Sequence, residues 1–290
     1  MAGNSLDQIK DDKLKEAVRL ELKKRARRRR IFTILVALIA IGSLGYFGIY
    51  SYMNFKTQNK SSQLASLKEQ TKPNKKDTDD EPVKVNKTGE IEIPDILPEY
   101  EMLYNKNKSL IGWIKIDDTI IDYPVMQTGN NEYYLDHNFE QGYDKNGCIF
   151  MDTECDVLTP STNLILYGHH MKSGAMFGGL DKYASREYFE KHPTFQFDTI
   201  YEKGVYKIAY VFRSQVYSED EIIFKYYQFI NANSETEFNS NIVEMSKLSL
   251  YDTGITPVYG DELVTLSTCD RSQVNEGRFV VVGVKIKDEM

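Results

Sequence analysis

The sequence predicts a mainly β domain, a barrel or a sandwich, set behind one membrane-spanning helix. Three observations predict it. From residue 111 onwards, short apolar runs of strand period recur between turn residues, with few helical stretches among them. Aromatic residues, 20 Tyr and 14 Phe among them, favour strands over a helical bundle. Near the N-terminus, Ile31 to Phe55 contains no charged residue and is long enough to cross a hydrocarbon core of about 30 Å as a helix.

Residues 1–30 are polar and helix-prone and end in a basic run from Lys23 to Arg30. With 11 Lys/Arg against 5 Asp/Glu they carry +6, so the remainder carries −13 of the net −7. A basic run alone can mark nucleic-acid contact or nuclear targeting. Beside an uncharged span it reads as the cytoplasmic flank of a signal anchor, with everything after Lys56 outside the cell. The negative balance of the remainder argues against a nucleic-acid surface on the folded domain. A cleaved signal peptide is the competing reading of residues 31–55. The span is too long for one and ends in Tyr50, Tyr52 and Phe55 without a small-x-small cleavage site. Gly42, Gly45 and Gly48 recur every three residues and form no G-x-x-x-G pair, so no helix dimer is inferred.

Residues 56–90 are rich in Lys, Gln, Ser, Thr and Asp, and no aromatic residue occurs between Phe55 and Tyr100. Such a stretch buries too little apolar surface to offset its ordering entropy, which predicts a flexible spacer giving reach from the anchor. The change in composition near Ile91 marks the start of one domain, residues 91–290, with no internal repeat.

That domain opens with a short helix over Leu97–Asn105, with Pro98 in its first turn. Strands over 111–116 and 119–126 flank Asp117 and Asp118 as a hairpin, and Pro124 argues for an edge or a strand end. Further strands are expected over 147–151 and 163–167. A helix follows over 185–190, ended by His192 and Pro193. A second hairpin joins 199–201 to 205–212 through a turn at Gly204. Residues 235–248 have helical spacing, with Phe238, Ile242, Val243, Met245 and Leu248 near one face. Two last strands run from Asp261 to Cys269 and from Arg278 to Ile286.

The chemistry gathers on Cys269, at the C-terminal end of its strand. A thiol at neutral pH needs a base or a cation to supply thiolate, and donors for a developing oxyanion. Two partners are visible. The strand from Asn163 ends in Gly168, His169 and His170, and Arg278 heads an apolar strand. A cysteine at a strand end can equally be a small buried hydrophobe. Adjacent residues on an extended chain point opposite ways, so only one of His169 and His170 faces the thiol, and spacing does not choose between them. Arg271 and Arg278 both follow Cys269, and Arg278 comes to lie beside it if the last two strands pair. Asp270 adjoins Cys269 and faces away, a structural position. Ser267, two residues before Cys269, shares its face and is a candidate substrate contact.

Three cysteines are too few for a disulfide scaffold, and the odd count leaves a free thiol, taken as Cys269. Cys148 and Cys155 would lie on opposite faces of an extended segment and read as structural thiols. Asp152, Glu154 and Asp156 lack the Gly and distal Glu of a calcium loop and read as a solvated acidic stretch. No metal or cofactor is called for. His137 reads as structural, and His192 as an exposed loop residue.

In Thr265-Leu-Ser-Thr-Cys269, in Arg278 opening a Val-rich strand, and in Leu166-Tyr-Gly-His-His-Met171 followed by Gly174-Ala-Met-Phe177, the chain resembles the sortases, specifically class B. The resemblance covers residues 91–290. It implies a closed sortase-type β-barrel with added helices at the N-terminus and before the Cys strand, preceded here by the one transmembrane helix. It selects His169, which follows the Gly directly, as the catalytic histidine, Cys269 as the nucleophile and Arg278 as the catalytic arginine.

The activity implied is that of a membrane-anchored cysteine transpeptidase, a hydrolase and acyltransferase in one. Cys269 would attack the Thr carbonyl of a Pro-x-Thr-x sorting signal near the C-terminus of a secreted protein. A peptidoglycan amine, from a precursor or a cross-bridge, would take the acyl group. The partners implied are those proteins, that amine, and membrane lipid through the anchor, with no nucleic acid. Two alternatives stand beside it: a surface cysteine peptidase in which water resolves the intermediate, and a non-enzymatic membrane-tethered binding domain.

Overall fold

A computed structural model of the chain describes residues 12–70, 94–269 and 277–287, the side chains of Asp12 and Cys269 excepted. The chain divides into two compact units, Met1–Phe55 and Lys56–Met290. Helix α1, Asp12–Gln70, supplies the described part of the first unit. Its stretch from Ile31 to Ile49 is exposed on every side, Leu44 to 71 %. By length and composition, α1 is the one described helix able to cross a membrane.

The second unit begins with the last turns of α1, and here the expected spacer is corrected through Gln70; residues 71–93 lie outside the described residues. Thr57, Ser61, Leu64 and Lys68 recur at spacings of four, three and four and so share one helix face. The first three are buried against the barrel. The contact is mostly polar. Ser61 Oγ donates to Asp122 O, and Lys68 Nζ lies 3.4 Å from Asp198 Oδ2 and over the rings of Tyr100 and Trp113. Only Leu64 on this stripe is apolar, which explains why hydrophobic periodicity leaves it unmarked.

Helix α2, Pro98–Lys106, starts on its proline as expected and buries Tyr100 and Leu103. Eight strands follow among the described residues: β1 Leu110–Lys115, β2 Asp122–Met126, β3 Ile149–Met151, β4 Asn163–Gly168, β5 Thr194–Thr199, β6 Val205–Gln215, β7 Leu263–Cys269 and β8 Gly277–Lys285. Their hydrogen-bonded order is β1-β2-β3-β4-β7-β8-β6-β5, and β5 pairs back onto β1 to close the barrel. The β2–β3 and β4–β7 pairs are parallel; the remaining pairs are antiparallel. Pro124 sits within β2, where β3 becomes a neighbour only from Val125 onwards, so its missing N–H costs no ladder bond to that strand.

The expected first strand of the second hairpin, 199–201, is instead β5. Phe195 and Phe197 are buried in the barrel, and the strand begins directly after the His192–Pro193 break. Helix α3, Arg186–Lys191, precedes that break. Helix α4, Glu235–Leu248, agrees with its periodicity, and Ser234 caps it by accepting from Glu237 N–H at 3.2 Å. It lies on the outside of the barrel, where Phe238, Ile242 and Met245 pack with Leu263, Val280 and Val282. Val243 and Leu248, expected on that face, are exposed, because the contact stripe is narrower than the apolar one. Inside the barrel, alternate residues such as Val264, Leu266, Phe279 and Val281 fill the core.

Candidate active site

Strands β4 and β7 lie side by side and parallel, with Gly168 opposite Thr268. His169 and Cys269 therefore follow at the carboxyl ends of neighbouring strands. Strand β8 runs antiparallel on the other side of β7, and its Arg278 is the register partner of Cys269. With strands about 4.8 Å apart, the three residues stand abreast at one end of three successive strands. Cys269 is described by its backbone alone, and Asp270 and Arg271 lie outside the described residues.

Local sequence explains why His169 can stand there. A Cβ on Gly168 would come within 2.4 Å of Ile149 Cδ1 and 2.8 Å of Phe177 Cδ2, so only glycine lets the chain pass into the His pair. The His169 ring is half-buried, with Nε2 2.6 Å from Leu135 O. A carbonyl oxygen only accepts, so Nε2 carries a hydrogen and Nδ1 is the basic nitrogen of the neutral ring. Phe177 N–H donates to His169 O at 3.0 Å. His170 turns elsewhere: its backbone bridges Met176, and its Nε2 lies 3.5 Å from Asp181 Oδ2. The two histidines diverge as alternation on an extended chain requires.

Arg278 is half-buried, and its Nη1 donates to Gly277 O at 3.1 Å. On its far side Ser214 is its partner in β6, which places the exit of β6 at the same end of the barrel. The segment that leaves there is tied down by two side chains. Lys225 Nζ donates to Ser218 O and Glu219 O, and the Tyr227 hydroxyl both accepts from Tyr217 N–H and donates to Tyr217 O.

Ser267 requires a correction. It is 1 % exposed, and its Oγ is 2.7 Å from the hydroxyl of buried Tyr226, so the position expected to touch substrate is occupied by a tyrosine of the chain itself. The two-residue period assigns Ser267 a face of β7 but carries no sign that Tyr226, in the β6–β7 connection, meets its hydroxyl.

The other cysteines are buried thiols. Burial pushes the Cys155 thiol up to about 12 and Cys148 up as well, so both stay protonated at neutral pH. They sit in different apolar clusters, and Cys155 Sγ accepts from Ile165 N–H. Asp152, expected to be solvated, is buried instead. It accepts from Tyr167 Oη, Asn131 Nδ2 and Glu154 N–H, and burial, with the Asp152 charge beside it, raises the Tyr167 phenol above its ordinary range. Asp156 accepts from its own turn, at Leu158 N–H and Thr159. His137 stacks on Tyr133, and His192 lies against Tyr188 at the end of α3. Sequence reasoning missed the Leu135 carbonyl and Tyr226, since a backbone acceptor and a distant buried hydroxyl leave no local pattern.

Residues 114–286 match the sortase domain family. Sortase B of Listeria monocytogenes is 33 % identical over 193 residues, covering 65 % of this chain and 74 % of its own length. Sortase B of Staphylococcus aureus is 30 % identical over 191 residues, covering 66 % and 75 %. Among solved structures, a Bacillus anthracis protein described as similar to sortase B matches with a TM-score of 0.65 at 30 % identity, over 81 % of this chain and 98 % of its own. A complex of Staphylococcus aureus sortase B with substrate matches with a TM-score of 0.60 at 30 % identity, over 67 % and 87 %.

Proposed function

Because the chain belongs to the sortase family, class B, whose members are cell-wall sorting transpeptidases, we propose that it cleaves a Pro-x-Thr-x type sorting signal after Thr and passes the acyl group to a peptidoglycan amine. The observation that carries this reading is the alignment of His169, Cys269 and Arg278 at the end of β4, β7 and β8. Cys269 Sγ adds to the Thr carbonyl, and the Arg278 guanidinium donates to the oxyanion. His169, with Nε2–H committed to Leu135 O, takes the Cys269 thiol proton on Nδ1 as Sγ adds and delivers it to the departing amine. The thioester that remains is attacked by the acceptor amine, whose proton returns to Nδ1.

The test is made on the full chain in detergent micelles, with a sorting-signal peptide and an amine, the products being identified by mass. A peptide–amine adduct is expected. Free acid alone would make the chain a peptidase that uses water on the same thioester. No cleavage, and no labelling of Cys269 by a sorting-signal peptide bearing a thiol-reactive group, would make it a tethered binding domain.

Its place is the cell membrane, with a single pass, the N-terminus cytoplasmic and the domain outside. The charge step from the basic run to the uncharged span of α1 supports this orientation. Protease added to intact spheroplasts should release the domain and leave the N-terminal segment protected; the reverse protection would overturn the orientation.

A further inference from the structure

Two loops hold His169 in place, and both rest on the same short piece of helix. The first loop presents Leu135 O to the imidazole. Its return, through Asp144 and Gly147, closes on it by Asp144 N–H to Asp136 O and Cys148 N–H to Tyr134 O. Gly147 has φ +60°, and a Cβ there would lie 2.2 Å from Tyr134 O and 2.6 Å from Leu135 O, so this return packs directly behind the carbonyl that His169 uses. Helix α1 grips that return. Thr57 Oγ1 donates to Asp144 Oδ2 at 3.0 Å and accepts from Asn146 Nδ2 at 2.8 Å, and Lys60 pairs with Glu140.

The second loop, Met171–Phe177, holds the backbone of the His pair, through Phe177 N–H to His169 O and the bridge between Met176 and His170. Met176 is held at φ +53°, a strained conformation for a side chain of its size. Its N–H donates to the buried Tyr123 hydroxyl at 3.3 Å, and that hydroxyl donates to Gln58 Oε1 at 3.2 Å. Burial pushes the Tyr123 phenol up to about 12, so it remains a donor. Between helix and loops lies a small cavity of about 40 Å³, lined by Thr57, Ser61, Leu64, Tyr123, Cys148 and Met176. The hydrogen bonds of Thr57, Gln58 and Tyr123 connect helix and loops around it.

We propose that Thr57, Gln58 and Tyr123 are positioning residues for His169, the start of the second unit acting as a brace across the two loops that orient the imidazole. The proposal rests on the reading of His169 as the acid–base group. It adds that the segment directly following Phe55, with no atom in the reacting centre, sets the rate of proton transfer.

The test uses the full chain in detergent, with three variants of the brace, Tyr123→Phe, Thr57→Val and Gln58→Leu. Gln58 lies on the helix surface, so its variant leaves the barrel intact. The comparison is Lys68→Met, three turns along the same helix, whose partners are Asp198, Tyr100 and Trp113. A misplaced catalytic group costs up to about 10²-fold, so the brace variants should lower kcat about tenfold or more with KM within about twofold. They should also shift the His169 imidazole resonances in a histidine-labelled chain. Lys68→Met should lower Tm while leaving kcat within about twofold. If the brace variants keep the parent kcat and His169 resonances, or if kcat falls in all four in step with Tm, the brace is structural only and the proposal is overturned. His169→Ala separates the two levels: if it is inactive, the reading of His169 stands whatever the brace does, and if it is fully active, that reading falls and the brace with it.

Discussion

Cys269→Ala should abolish acyl transfer, with neither adduct nor free acid formed, while Cys148→Ala and Cys155→Ala keep most of the parent rate. The contrast follows from environment. Transfer needs a thiolate, and burial holds both Cys148 and Cys155 protonated at working pH, Cys155 up to about 12. Cys269 stands at the end of β7 in register with Arg278. The check is the initial rate of adduct formation by mass, alongside Tm for each variant, since truncating a buried thiol also costs some packing. Loss of activity in all three, with Tm preserved, would remove the basis for singling out Cys269.

His169→Ala and Arg278→Ala should each cut turnover by at least about 10²-fold. An oxyanion donor is worth roughly 10²–10³ in kcat and acid–base assistance typically about 10²–10⁴. Their near-duplicates should matter much less to the chemical step. His170 faces Asp181 and bridges Met176, so His170→Ala should act mainly on Tm. Arg271→Ala should act mainly on stability or substrate affinity. Arg278→Lys should not restore the parent rate, because lysine keeps the charge but loses the planar fork. Steady-state kcat and KM on the five variants check this. An inactive His170→Ala beside an active His169→Ala would transfer the acid–base role one residue along and leave a Cys–His mechanism in place.

The chain's own letters were enough to mark the elements whose signal is local. Helix α4 has an apolar stripe and a serine cap, α2 opens on Pro98, β4 and β7 are apolar runs closed by Gly168 and Cys269, and β8 is one opened by Gly277 and Arg278. They were enough also to pick out the Gly-His and Thr-Cys motifs, because each is a few residues long and sits at a strand end. What only the tertiary structure decided depends on groups far apart in the chain. The polar stripe of Thr57, Ser61 and Lys68 gives no hydrophobic period, and its partners Asp144, Asp122 and Asp198 lie 61 to 130 residues away. Ser267 is closed off by Tyr226 from a connection that returns over β7. The Leu135 carbonyl that orients His169 is a backbone atom, identical in every residue, and its use is set by the fold around Gly147. Periodicity records which face of an element meets apolar surroundings. It carries no record of which distant donor meets which acceptor, and here those pairings decide how the end of the barrel that holds His169 is built.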